Sequence, residues 1–295
     1  MMFNKLIILT VLLASGTAAI IPAVVSKAAQ AGQSKKVFMI TDMEGVDGIF
    51  DEDLQCIPWK SPRWEESRKL LTGEINAAVE GLYEGGATEV VVLDGHWDGS
   101  NLSVLDIQPK ARLLTGQGIP RTLTLDRSYS AMIFIGQHAM AGAEKGILGH
   151  TEDPAGIQNV WVNSMPVGEI GLNLMVASSL GIPTIMLSGD TAACRELRAL
   201  VPDAECAEVK SGVSRTAGFM LPHSAACTLI REKCRHALER LAEFKPYQVS
   251  EPVEIKVEYT TSGTKEFPPR EGVERINDRT WALRGKNFMD VWYKF

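Results

Sequence analysis

Apolar and polar positions change period along the chain, and the changes separate strands from helices. Residues 36–40 read KVFMI, a short apolar run that ends in the polar TDMEG. Residues 63–84 place Leu70, Leu71, Ile75, Ala78, Val79 and Leu82 three and four apart, the spacing of one helix face. Gly85-Gly86 then stops that helix. EVVVLD at 89–94, AMIFIG at 131–136, NVWV at 159–162 and TIMLSGD at 184–190 read as further buried strands. A helix of about 167–180 is closed by Gly181 and followed by Pro183. Another, of about 222–243, sets Ala226, Ile230, Cys234, Ala237, Leu238 and Leu241 on one side.

Short, continuously apolar strands separated by helices predict an α/β fold, a mainly parallel sheet with helices on both faces. Residues 36–190 supply that sheet and its helices. The remainder adds a C-terminal helix and a β segment, VEIKVEY at 253–259. The predicted organisation is one α/β core over residues 36–250 with a C-terminal extension over 251–295.

The N-terminus follows another logic. Lys5 precedes the uncharged run LIILTVLLASGTAAIIPAVV, and Ser26 and Ala28 form a small-x-small site around Lys27. That order is the pattern of a secretory signal peptide over residues 1–28, with a linker over 29–35. A retained anchor is the alternative; Pro22 and the Ala/Ser-rich stretch after it favour cleavage. The expected location is therefore outside the cytoplasm, periplasmic or extracellular. No later stretch is long and apolar enough to span a bilayer, so no membrane partner is expected after cleavage. The net charge is −6 and no basic stripe offers a nucleic-acid footprint. The five cysteines, Cys56, Cys194, Cys206, Cys227 and Cys234, contain no Cys-x-x-Cys pair. Cys227 and Cys234, roughly 10 Å apart along a helix, are too distant to bridge. Buried thiols are expected, with one surface disulfide left open.

Three strands end in groups that bind metal: Asp42-Met43-Glu44, Asp94-Gly95-His96 and Gly136-Gln137-His138. Parallel strands present all their carboxyl ends on one edge, where open α/β sheets bind ligands. Two carboxylates and two imidazoles suit zinc better than calcium or magnesium, which prefer oxygen alone. Asp42 and Glu44, two apart in extended chain, point to one side, and Asp42 is the candidate to bridge two ions. Glu169 lies at the start of the helix PVGEIGLNLMVASSL on the face of Leu172 and Val176, so its carboxylate points inward and needs a partner. His150, in the Gly-rich GILGHTED, reads either as a solvated loop histidine or as a proton-transfer group over the metals. His223 and His236, on the C-terminal helix, look structural.

The stretches TDMEGVDGI, LDGHWDGSNL, IFIGQHAMAG, GILGHT, VNSMPVGEIGLN and IPTIMLSGD together resemble the DppA-type zinc D-aminopeptidase family over roughly residues 36–245. The resemblance implies a binuclear zinc aminopeptidase. It implies Asp42, Glu44, His96, His138 and Glu169 as ligands of two zinc ions per subunit, and His150 as the catalytic residue. It also implies a homo-oligomeric ring, a decamer in the family. The expected function is an exported metal-dependent aminopeptidase that hydrolyses N-terminal residues, D-amino acids among the options, from short peptides through a two-zinc-activated water. Another metal-dependent amidohydrolase, or an exported metal- or peptide-binding protein without catalysis, are the competing readings.

Overall fold

The computed structural model describes residues 34–116 and 124–295. The segment read as a signal peptide, and most of the linker, lie outside the described residues. The chain runs β1 (Lys36–Thr41), α1 (Glu52–Gln55), α2 (Trp64–Glu84), β2 (Glu89–Asp94), β3 (Ala111–Leu114), β4 (Ala131–Gln137), β5 (Ile157–Val162) and β6 (Met165–Pro166). It continues with α3 (Glu169–Ser179), β7 (Thr184–Asp190), α4 (Thr191–Leu200), β8 (Glu205–Ser214), β9 (Ala217–Met220) and α5 (His223–Glu239). Then come β10 (Val253–Tyr259), β11 (Val273–Arg275), β12 (Thr280–Gly285) and α6 (Phe288–Trp292).

The first sheet has the order β3-β2-β1-β4-β7-β8-β9. Every pairing in it is parallel except β8 with β9. Both of its faces are buried, which is why β1, β2, β4 and β7 read as unbroken apolar runs. Val37, Met39, Val92 and Ile133 pack against α2 and α5 on one face. Phe38, Ile40, Leu93 and Phe134 face α3, α4 and a second sheet on the other.

That second sheet corrects one expectation. NVWV does not join the parallel sheet: β5 lies in an antiparallel sheet of order β11-β12-β10-β5-β6. Val160 and Val162 are buried whereas Asn159 and Trp161 are half-buried, so the segment alternates as a one-sided strand does. Four residues were too few for that alternation to stand out from an apolar run. β10 carries the same period, burying Val253, Ile255, Val257 and Tyr259 between Glu254, Lys256 and Glu258. Strands β8 and β9, absent from the sequence reading, extend the first sheet. All five cysteines are free thiols, four of them buried, and the surface disulfide does not occur.

The sheet order places the site. The chain winds from β1 outward through β2 and β3, then returns to β4 on the other side of β1 and winds outward through β7 and β8. The carboxyl ends of β1 and β4 therefore flank the switch in winding direction, where such sheets open a crevice.

Candidate metal centre

The loop after β1 is fastened to the end of β4. Asp42 N–H donates to the Ile135 carbonyl at 2.9 Å and Gly45 N–H to the Gly136 carbonyl at 2.7 Å. Gly136 has φ +73°, and a Cβ there would meet the Asp42 carbonyl at 2.2 Å. Only glycine permits that approach. Asp42, Glu44, His96, His138 and Glu169 are all buried, between 2% and 8% exposed, and they converge at this rim. Glu44 Oε1 is 3.2 Å from His96 Nε2. His138 Nε2 lies 3.2 Å from Asp42 Oδ2 and 3.5 Å from Glu169 Oε1. His150 joins them, its Nε2 3.8 Å from Glu169 Oε1 and its ring stacked on that of His138 at 3.9 Å. Two groups of donors result, Asp42 with Glu44 and His96, and His138 with His150 and Glu169. Asp42 touches a member of each. All six residues singled out in the sequence are thus brought together.

The hydrogen bonds on the far side of each ring decide what the near side presents. His138 Nδ1 meets the Ala139 carbonyl and His150 Nδ1 the Leu148 carbonyl, both at 2.9 Å. A carbonyl only accepts, so each Nδ1 carries the proton. His96 Nδ1 meets Asn101 Oδ1 at 3.1 Å, while the Asn101 amide donates to Asp94 Oδ1 and the His96 carbonyl. In the neutral tautomer all three Nε2 atoms are therefore bare lone pairs aimed at carboxylate oxygens. Acceptor facing acceptor in a buried site is repulsive unless a cation lies between. Glu44 Oε2 and His138 Nε2 have no hydrogen-bond partner. The donor set and its unsatisfied atoms fit divalent zinc, which takes neutral imidazole and carboxylate together, each ring held from behind. The same carboxylates attract positive charge, a proton in the absence of metal. Burial acts to lower His96, but Glu44 outweighs it and pushes the imidazole up to about 9. His138 is likewise raised, burial opposing and Glu169 and Asp42 prevailing. Burial, reinforced by Glu44, raises Asp42.

Several supporting residues carried no motif. Lys210, on β8, is 3% exposed. Its Nζ donates to the carbonyls of Glu44, Val46 and Ile49 at 2.5, 2.9 and 2.6 Å, clamping the loop after β1 from below. Burial, with Asp190 opposing, pushes this amine down to about 8. Gln137 Nε2 donates to Asp42 Oδ2 at 2.9 Å. Glu196 accepts from the Met140 and Gly168 amides at 2.8 and 3.2 Å, fixing the segments beside His138 and Glu169. Single polar residues inside apolar elements give no signal by spacing. Glu52, Trp97 and Glu152 line a cavity of about 180 Å³ with the metal-type donors. The last two sit inside quoted motifs, DGHW and GHTED, so motif membership was the available signal.

A family model described as D-aminopeptidase matches residues 35–295. The chain belongs to the D-aminopeptidase family. Within that family, a D-aminopeptidase of Bacillus subtilis (strain 168) is 32% identical over 234 residues, covering 79% of this chain and 84% of the relative. The solved structure of the "Zn-dependent D-aminopeptidase DppA from Bacillus subtilis, a self-compartmentalizing protease" is similar with a TM-score of 0.81 and 29% identity, over 88% of this chain and 94% of that one. This member therefore shares the family's fold as well as its sequence pattern, and its six clustered residues all fall within the matched span.

Proposed function

We propose that the protein is an exported zinc-dependent aminopeptidase that removes N-terminal residues, D-residues foremost, from short peptides, using water activated at a pair of ions. The observation that carries the reading is the convergence of three bare imidazole Nε2 atoms on buried carboxylates at the carboxyl ends of β1 and β4. Family membership and the relative described as Zn-dependent support the metal and the substrate class. The apolar N-terminal run supports export.

Asp42, Glu44 and His96 would hold one ion and His138 and Glu169 the other, with Asp42 within reach of His138. Bound there, zinc supplies Lewis acidity and lowers the pKa of water towards about 7. Glu169 sits in the first turn of α3, where the helix dipole favours its charge. The Glu152 backbone N–H holds Glu169 Oε1 at 2.8 Å. His150 has its Nδ1–H tied to the Leu148 carbonyl, which leaves Nε2 facing the cavity to accept a proton and return it to the leaving amine. Arg215 holds that loop, donating to the Gly149 carbonyl at 2.8 Å. Assembly into a homo-oligomer belongs to the same proposal, supported by the relative described as self-compartmentalizing.

The test is metal analysis of purified protein coupled to turnover of matched D- and L-alanyl dipeptides. His96→Ala and Glu169→Ala should lose most bound zinc and nearly all turnover; full activity in a zinc-free variant defeats the reading. His150→Ala should keep its zinc and lose turnover by roughly 10²–10⁴-fold, the range of a proton-transfer group. Hydrolysis of acylated or cyclic amides in place of dipeptides would redirect the assignment to another amidohydrolase.

A further inference from the structure

The cavity over the metal-type donors has two walls that the assigned chemistry does not use. Trp97 follows His96 directly, and Glu152 lies two residues after His150. Both have positive φ, +51° at Trp97 and +59° at Glu152. Bulky residues avoid that region, and glycine or asparagine fills it at lower cost. Trp97 is 60% exposed although it is the largest side-chain type. Its position is nonetheless anchored, because it continues the turn that holds His96. Glu152 is anchored through its own N–H to Glu169. Glu52, at the start of α1, lines the same cavity and lies 3.7 Å from Arg215.

Charge completes the case. Five carboxylates line this cavity, and neither lysine nor arginine does among the described residues. Asp42, Glu44 and Glu169 offset three of the four positive charges of two zinc ions, and Glu152 supplies the charge that offsets the fourth, Glu52 being paired with Arg215 at 3.7 Å. An aromatic face beside carboxylates is the chemistry that binds an alkylammonium, by cation–π attraction and charge-assisted hydrogen bonds.

We infer that Trp97, Glu152 and Glu52, which line one cavity, form a subsite for an ammonium group of the substrate's first residue, and so set which N-terminal residues the enzyme accepts. This rests on the aminopeptidase reading above. The ammonium has two sources, the α-amine that defines an N-terminus and the side chain of a basic residue.

The experiment uses the zinc-loaded full protein and three p-nitroanilides carrying two, one and no ammonium groups: lysine, norleucine and N-acetylnorleucine, in whichever configuration the protein prefers. Glu152→Gln should raise KM about tenfold for the ammonium-bearing member of the pair it reads, with kcat within about twofold and zinc content unchanged. Trp97→Ala should shift the same pair in the same direction, and Glu152→Asp should recover part of the loss. Loss confined to norleucine over N-acetylnorleucine assigns the α-amine; loss of lysine over norleucine assigns the side chain. Unchanged ratios in both pairs overturn the subsite. Calorimetric titration with lysinamide, norleucinamide and N-acetylnorleucinamide reads the same series without turnover. Absence of hydrolysis with intact ammonium-dependent binding sinks the aminopeptidase reading and keeps the subsite; equal binding of all three sinks the subsite.

Discussion

Single residues behind the ligands carry much of the site's geometry. Asn101 spends its carbonyl on His96 Nδ1 and its amide on Asp94 and the His96 carbonyl, so it fixes both tautomer and ring orientation. Asn101→Leu should weaken zinc binding roughly 10–100-fold, the usual cost of losing the group that orients a ligand, while secondary structure by circular dichroism stays intact. Chelator competition reads the affinity. Lys210 acts on the main chain instead, and an unpaired buried amine or a missing one both leave three carbonyls unsatisfied. Lys210→Met should lower stability by about 1–3 kcal/mol and raise the zinc dissociation constant. Denaturant melts with and without zinc separate the two effects. Sequence reading found the ligands because metal chemistry draws on few side-chain types and strand ends. It missed Lys210 because its partners are distant main-chain carbonyls that no spacing along the chain encodes, and Asn101, inside LDGHWDGSNL, because a turn asparagine near His96 does not by type alone read as a support for it.

At the scale of elements, α2 and α5 make the closest helix contact. Gly81 lies inside α2, where propensity disfavours it, and a Cβ there would meet the Arg231 carbonyl of α5 at 2.1 Å. Gly81→Ala should therefore destabilise despite its better propensity, lowering the melting temperature. Helix α5 is also tied to β8: Glu205 accepts from Lys233 at 2.9 Å and from His236 and Arg240 at 2.7 Å. Burial pushes the Glu205 carboxyl up, but Lys233 and His236 outweigh it and hold it below its ordinary value of 4.5. A depressed folded-state pKa means the contribution is whole above that value and disappears as pH falls through the folded-state pKa. Glu205→Gln should cost about 1 kcal/mol at pH 7 and progressively less below pH about 4.5, checked by thermal melts across that window. Helices α2, α3 and α5 and strands β1, β2, β4 and β7 were legible because their apolar patterns run unbroken, whereas the shorter helices α1, α4 and α6 were not read. β5 was assigned to the wrong sheet because two buried valines alternating with Asn159 and Trp161 look, over four letters, like a continuous core strand. β8 escaped notice because Glu205, Lys210 and two serines interrupt any apolar run, and β9 because four residues are too few to show a period.

Across the whole molecule, the second sheet binds distant parts of the chain into one cover. β5 pairs with β10, and β10 with β12, so residues 157–162 depend on residues 253–285 for their partners. Ile255, Val257, Leu283, Phe288 and Val291 share one apolar cluster with Phe38, Phe134 and Ile170. A chain ending at residue 250 should fail to reach the native state, giving a flat near-ultraviolet dichroism spectrum; retained cooperative melting would contradict that dependence. Sedimentation of the full protein tests the proposed assembly, a single monomeric species being the adverse result.

The shared cluster also sets an order of events during synthesis. Glu169 stands on α3, and α3 is roofed by α6, formed by residues 288–292, which are synthesised long after it. A growing polypeptide can assemble β1, β2 and β4 early, yet it lacks the lid over α3 until residues 288–292 have emerged. The half-site built on His138 and Glu169 should thus be completed after the one built on Glu44 and His96.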